Sequence, residues 1–225
     1  MINFNEGNTL LIDKPLEWTS FDVVKKIRNL CGAKKVGHAG TLDPLATGLL
    51  IICTGKSTKK LEGFQGQDKT YTGKFKLGAT TPSFDLESEE DSQSDISGLT
   101  QDLIIEKASK MTGVQQQTPP IFSAIKIKGE RAYTKARKGE KPKLKSREIN
   151  IIRFEISQIE LPYVSFEIEC TKGTYIRSIA RDFGKALGCG AYLSELRRTK
   201  IGEFDVENAQ TIQEFADFVE QMREP

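Results

Sequence analysis

Asp43, followed by a proline inside a glycine-rich run, is the first place in this 225-residue sequence where a reacting group could be held rigidly. The run reads Gly37-His38-Ala39-Gly40-Thr41-Leu42-Asp43-Pro44, and His38 is the only histidine in the chain. Pro44 disfavours the helical region for Asp43 and holds it extended, while Gly37, Gly40 and Gly48 allow a tight path around it. Asp before Pro also opens many helices as N-cap and N1. Here Leu45-Ala46-Thr47-Gly48 is too short for a helix, and Leu49-Leu50-Ile51-Ile52 has the apolar character of a strand. Two readings of Asp43 stay open on residue types alone, a turn starter or a reacting carboxylate.

The segment Cys170-Thr171-Lys172-Gly173-Thr174-Tyr175-Ile176-Arg177 joins a strand to a helix. A helix start with an arginine in its first turn suits a phosphate or a carboxylate, and such a positive group can keep an adjacent aspartate ionised. The simpler reading is an arginine on a solvated first turn. Tyr71 begins a strand after Asp68-Lys69-Thr70. It is either a core aromatic or a platform for an extruded base whose hydroxyl can move a proton. No nucleophile elbow, P-loop or dinucleotide fingerprint is present. The cysteines Cys31, Cys53, Cys170 and Cys189 form no CxxC pair, and with one histidine they argue against a zinc site.

Charge is distributed more tellingly than the net value of +2 indicates. Residues 126–147 carry ten Lys or Arg against two Glu, and residues 85–106 carry eight Asp or Glu and no base. Lys25 to Lys35 contains no acid, and a further basic stretch runs from Lys172 to Lys200. One charge run alone is ordinarily a solvated face. Several of them beside glycine-rich turns point to a polyanion, because clustered cations release condensed counterions. The N-terminus lacks a basic, then apolar, leader, and no apolar run is long enough to span a membrane, so a reduced cytoplasm is expected.

The elements that must position these residues follow from periodicity. Thr9 to Ile12 reads as a short strand. Ser20 reads as the N-cap of a helix with Phe21, Val24, Ile27 and Cys31 on its inner face, closed by Gly32. Leu49 to Cys53 and the alternating Tyr71, Gly73, Phe75 and Leu77 read as strands. Residues 85 to 100 read as a mobile surface loop. A helix is expected from Gln101 to Met111, strands over Phe122 to Ile127, Ile149 to Ile156 and Tyr163 to Cys170, and a helix from Thr174 with Ile176, Ile179, Ala180, Phe183 and Leu187 inward. A strand-rich stretch from Leu193 to Phe204 and a last helix marked by Ile212, Phe215, Val219 and Met222 complete the chain. Strands follow strands as often as helices, which predicts an α+β fold with a mixed, largely antiparallel sheet flanked by helices and carrying surface insertions.

Taken in order, these motifs resemble the TruB type of tRNA pseudouridine synthase. The resemblance runs from Leu10 to about Phe204. Its most specific piece is Gly37 through Leu50, supported by Leu11-Ile12-Asp13-Lys14-Pro15, Lys69-Thr70-Tyr71, Pro119 through Lys126, Lys172 through Arg177 and Leu196-Arg197-Arg198-Thr199. It implies a pseudouridine-synthase fold and isomerisation of the T-loop uridine at tRNA position 55, by base flipping and without a cofactor. It implies Asp43 as the essential aspartate, Arg177 as the arginine paired with it, and Tyr71 as the aromatic stacked on the target base. It further implies His38 in the space left by the flipped nucleotide, Leu196 lining the pocket and Asp85 orienting the arginine. Lys14, Lys126, Lys128, Arg131, Arg197 and Arg198 are the cations expected to contact RNA with His38.

The expected partner is the T-arm stem-loop of tRNA, bound by a monomer without metal or membrane. The expected organisation is a single catalytic domain over 1–225, with a core at 9–204, a helical extension at 205–225 and no PUA domain. With the expected lack of a PUA domain, which family members often carry, three departures from the family pattern stand out: the other two are Glu17 in a place where glycine is usual, and Thr80 through Asp85, which lacks the usual Thr/Asp-rich pattern. Two alternatives remain, a non-catalytic RNA-binding or tRNA-folding protein and the same chemistry on another RNA.

Overall fold

An apolar run of five residues, Leu49 to Cys53, is buried along its whole length, so it belongs to a strand covered on both faces. A computed structural model of the chain describes residues 3–123, 126–127, 130–131 and 144–223. In chain order the strands and helices are β1 (Thr9–Lys14), α1 (Ser20–Cys31), β2 (Val36–Ala39), β3 (Ala46–Thr54), α2 (Leu61–Gly66), β4 (Lys69–Leu77), β5 (Ala79–Thr80) and β6 (Ser92–Gln93). They continue with α3 (Gln101–Lys110), β7 (Gly113–Gln117), β8 (Lys126–Ile127), β9 (Glu130–Arg131), β10 (Arg147–Glu160), β11 (Tyr163–Cys170), α4 (Ile176–Leu187), β12 (Ala191–Ile201), β13 (Phe204–Asp205) and α5 (Ile212–Gln221). The expected α+β class, a mixed and mostly antiparallel sheet with helices, is what forms. No helix among the described residues is long and apolar enough to cross a membrane.

Contacts divide the chain into two units, Met1–Thr72 with Leu196–Pro225, and Gly73–Glu195. In the first unit the hydrogen-bonded order is β1-β3-β12-β4, with β2 also on β3 and β13 on β12. β1 and β2 pair antiparallel with β3, whereas β12 runs parallel to it with Leu196 opposite Ala46 and Arg198 opposite Gly48. The faces of β3 separate its two cores. Leu50 and Ile52 pack with Val23, Val24 and Ile27 of α1 and Phe215 and Val219 of α5. Leu49, Ile51 and Cys53 pack with Ala39, Ile201 and Val206.

α1 starts one residue earlier than its apolar pattern indicates. Thr19 is the N-cap, and Thr19 with Asp22 forms a complete capping box. Ser20 is therefore the first helical residue and is buried, while Phe21, expected on the inner face, is exposed. Gly32 closes the helix in the left-handed conformation, as its position indicated.

In the second unit the order is β12-β4-β11-β10-β7. β10 and β11 form the hairpin that Leu161-Pro162 predicts, with Phe154 opposite Ile168 and Ile156 opposite Phe166. Its core is aromatic: Phe75 stacks on Phe166 with centroids 4.1 Å apart, and Phe183 of α4 lies 5.7 Å from Phe75 and 5.4 Å from Phe154. Residues 85 to 100, expected as a mobile surface loop, are mostly exposed but carry local structure. β6 within them pairs with β5, and Asp85 is buried and bridges to Leu193. Glu90 accepts from Lys76 at 2.6 Å, from Gln93 at 3.0 Å and from the Tyr192 hydroxyl at 2.9 Å, and these bonds hold its carboxyl down to about 2. Composition shows polarity, but it does not show that the partners wait on distant strands.

Close approach of β3 and β12 rests on Gly48. Its φ is 102°, and a Cβ there would sit 2.3 Å from the Arg198 carbonyl oxygen. Both the left-handed backbone and the space exclude a side chain. Gly48→Ala is expected to cost about 2–4 kcal/mol, read as a lowered urea midpoint; an unchanged midpoint would show that the two strands can separate freely.

Candidate active site around Asp43

The turn that carries Asp43 has almost no regular structure of its own, so other elements must hold it. Ala46 N donates to Asp43 O at 3.0 Å and closes the turn. Just before it, the buried Ser20 hydroxyl accepts from Leu42 N at 2.9 Å and donates to Leu42 O at 3.2 Å. One side chain thereby satisfies both backbone groups of the residue preceding Asp43. The capping box makes this possible: with Thr19 doing the capping, the Ser20 hydroxyl is free to turn toward the loop.

Beneath the turn lies Lys14, at the end of β1 and 0% exposed. Its ammonium donates to Pro15 O at 2.8 Å, Trp18 O at 2.6 Å and Pro44 O at 3.3 Å. Three donors meet three carbonyls, which is what a buried ammonium requires. Burial pushes the Lys14 pKa down to about 8, against the opposing pull of the Asp43 charge, while Arg198 lowers it further. Arg198, 1% exposed, donates from Nε to Leu49 O at 2.8 Å and from Nη2 to Gly40 O at 3.1 Å. It ties the glycine-rich approach to the strand that follows Asp43.

Lys14 and Arg198, expected among the RNA-contacting cations, are buried, with their charged groups on backbone carbonyls inside the fold. Arg197 keeps partial exposure, and its guanidinium forms a two-point pair with Asp13, at 3.0 and 2.7 Å. Leu196 is half-buried on β12, opposite Ala46 and so next to the Asp43 turn. His38 lies half-buried on β2, opposite Ile52, and burial lowers its pKa with Arg198 adding to the shift. Tyr71 is buried on β4. Its strand is anchored nearby by Thr199 Oγ1 donating to Thr70 O at 3.3 Å.

Asp85 and Arg177 are both buried in the second unit, with Arg177 Nε 3.4 Å from Asp85 Oδ2 and Nη1 3.4 Å from Ser83 O. Phe84 adopts a φ of 64° immediately before Asp85, a turn that bulky residues seldom make. The start of α4 is not an open phosphate site. Arg177 is buried on a carboxylate, and Tyr175 N donates to Gln117 Oε1 at 2.8 Å while Gln117 Nε2 donates back to Tyr175 O at 3.1 Å. Lys128 lies outside the described residues, and of Lys126 and Arg131 only the backbone, in β8 and β9, is described. Among the described residues no group of three or more His, Cys, Asp or Glu could hold a metal ion.

Family comparison decides what this constellation belongs to. The family model described as TruB family pseudouridylate synthase (N terminal domain) matches residues 28–176, and the one described as tRNA pseudouridylate synthase B C-terminal domain matches residues 177–225. The chain belongs to the TruB family of pseudouridylate synthases. It is 54% identical over 211 residues to a Flavobacterium johnsoniae protein named tRNA pseudouridine synthase B, covering 91% of this chain and 92% of that one. A Chloroherpeton thalassium protein of the same name is 53% identical over 217 residues, 94% of this chain and 90% of that one. Among solved structures, a Cbf5-Nop10-Gar1 complex matches with a TM-score of 0.77 and 28% identity over 99% of this chain. The chain spans 57% of that matched chain. An archaeal box H/ACA sRNP Nop10-Cbf5 complex matches with a TM-score of 0.74 and 25% identity, covering 99% of this chain and 56% of that one.

Membership in the TruB family makes the chain a pseudouridine synthase, an isomerase, and sets aside the purely RNA-binding alternative. Within this TruB-family fold, Ser20, like Phe21 beside it, is a residue that periodicity alone assigns wrongly. The signal that finds it is Thr19-x-x-Asp22, which moves the N-cap back by one and leaves Ser20 for the loop. Glu17, standing in the usual glycine's place, has a φ of 65°. Its N–H donates to Pro44 O at 2.8 Å, so the left-handed residue completes the wrap around the turn. A non-glycine residue there costs about 1–2 kcal/mol.

The depressed pKa of Lys14 has a measurable consequence. The unfolded chain protonates this lysine near 10.5 and the folded chain near 8. Between those values the unfolded state binds more protons, so this group raises stability as pH increases. Below the window the buried charge costs roughly 3 kcal/mol relative to an unperturbed lysine. In urea denaturation, the stability of the wild type relative to Lys14→Met should therefore rise from pH 8 toward pH 10.5. A difference that stays constant with pH would contradict the buried, partly neutralised ammonium.

Proposed function

We propose that this chain isomerises uridine to pseudouridine at the T-loop position 55 of tRNA, with Asp43 as the catalytic carboxylate. The observation that carries this reading is the Asp43 turn, held from three sides by the buried side chains of Lys14, Ser20 and Arg198 while Asp43 itself stays half-exposed. A reacting group must be fixed in place yet reachable, and this turn meets both needs. The relatives named tRNA pseudouridine synthase B support tRNA as the substrate.

The reaction moves atoms without adding any. The C1′–N1 bond breaks, the base turns, a C1′–C5 bond forms, C5 loses its proton and N1 gains one. A uridine in a folded RNA has to leave its stack before this can happen, at a cost of a few kcal/mol. Asp43 acts on the ribose or the base as the glycosidic bond breaks. Tyr71, Arg177, Asp85 and Leu196 are assigned to support of the reaction by the resemblance, and His38 to the place vacated by the flipped nucleotide. The T-arm stem-loop is the bound part of the RNA, taken by a monomer in the cytoplasm, without a cofactor.

Asp43→Asn keeps the size and the turn but removes the negative charge. It should abolish pseudouridine formation on a T-arm hairpin, followed by tritium release from uridine C5, while binding of the hairpin stays near the wild-type level. Pseudouridine formed at the wild-type rate would remove Asp43 from catalysis. Mapping pseudouridine in total RNA of a deletion strain tests the target, with loss confined to the tRNA T loop as the expected result.

A further inference from the structure

Phe21 is the most exposed large apolar side chain near the Asp43 turn, at 65%. A single exposed aromatic is ordinary on a protein surface, so its setting must carry any function. Three features of the first unit do so. The capping box of α1 is complete without Phe21, and the apolar face of the helix is formed by Val23, Val24 and Ile27, so the ring serves neither helix start nor core. Its neighbour Ser20 grips both backbone groups of Leu42, which places the start of α1 against the residue before Asp43. Leu16, 53% exposed, and Glu17, bonded through its N–H to Pro44 O, flank the same turn.

From Phe21 the surface turns cationic. Lys25 and Arg28 are exposed and follow at i+4 and i+7, a spacing that keeps them on one side of the helix with Phe21. Lys34 and Lys35, in the turn after α1, are exposed as well. No acid occurs from Lys25 to Lys35, and the Asp22 carboxylate is occupied by Thr19. The rise of a helix makes the stripe from Phe21 to Arg28 about 10 Å long, roughly three steps of a stacked strand at 3.4 Å each. An aromatic at the reacting end and cations leading away from it match a nucleic-acid strand, with a ring for a base and charges for phosphates.

We propose that this stripe binds the RNA strand adjoining the reacting nucleotide, with Phe21 stacked on an unpaired base beside the target uridine and Lys25, Arg28, Lys34 and Lys35 along its phosphates. The assignment rests on the functional reading above and adds a contact surface to it. None of these residues acts on the glycosidic bond, so their loss weakens substrate binding more than turnover.

The test uses the full chain and a T-arm hairpin. Phe21→Ala should raise KM about tenfold, the scale of one lost base stack, with a smaller effect on kcat, and Phe21→Trp should restore KM. Thermal unfolding of both variants should match the wild type, because the ring is outside the core. The pair Lys25→Gln and Arg28→Gln should flatten the slope of log affinity against log salt by about 1 to 2, and Lys34→Gln with Lys35→Gln should flatten it similarly. Wild-type KM in Phe21→Ala, or an unchanged salt slope in both charge variants, overturns the stripe assignment while wild-type activity on the hairpin leaves the parent reading standing. A wild-type protein inactive on the hairpin overturns both.

Discussion

Everything around Asp43 depends on the need to satisfy two buried cations. An ammonium or guanidinium removed from water must find hydrogen-bond acceptors, or the fold cannot bear it. Lys14 and Arg198 find theirs on the carbonyls of Pro15, Trp18, Pro44, Leu49 and Gly40. The carbonyls of Gly40, Pro44 and Leu49 flank Asp43, and those of Pro15 and Trp18 belong to the connection between β1 and α1, so satisfying the cations ties the turn to that connection. The constraint also explains the glycines: Gly48 lets the Arg198 backbone come close enough for parallel pairing, and Gly40, with φ 78°, turns its carbonyl toward the guanidinium.

The start of α1 answers to the same turn. Two adjacent residues there divide two tasks that periodicity merges into one. Thr19 caps the helix, and Ser20 holds Leu42. Glu17 tolerates a left-handed backbone so that its N–H reaches Pro44 O. The local strain is small beside the cost of leaving the turn's carbonyls and the two cations unsatisfied.

What could be read in the sequence was the part governed by local pattern. The β10 and β11 hairpin, α3, α4 and the strand Leu49 to Cys53 follow from alternation, helical spacing and apolar runs, and the Asp43 loop from Pro44 and its glycines. What escaped was governed by distant partners. Lys14 and Arg198 look like any surface cations because sequence shows charge and not burial. Phe21 looks like a core residue because apolar character shows no direction. In residues 85 to 100, two of the three groups that hold Glu90, Lys76 and Tyr192, are supplied by β4 and β12, and only Gln93 comes from the segment itself. The resemblance already implied Asp85 orienting Arg177, and the two lie against each other; that both are buried there is a tertiary fact that no spacing reveals.

Each anchor of the turn comes from a different element: Lys14 from β1, Ser20 from α1 and Arg198 from β12. β1 and β12 both pair with β3, the strand that leaves the turn, and α1 packs on one face of β3. The geometry of Asp43 is therefore an outcome of how the whole first unit packs, and no single loop contact sets it. A weakness in either core around β3 would shift at least one anchor and with it the carboxylate. The arrangement leaves Asp43 half-exposed while the three side chains that hold its turn are sealed inside. Precision at a reactive group then comes from the same burial that stabilises the fold, and the two properties cannot be varied independently at Lys14, Ser20 or Arg198.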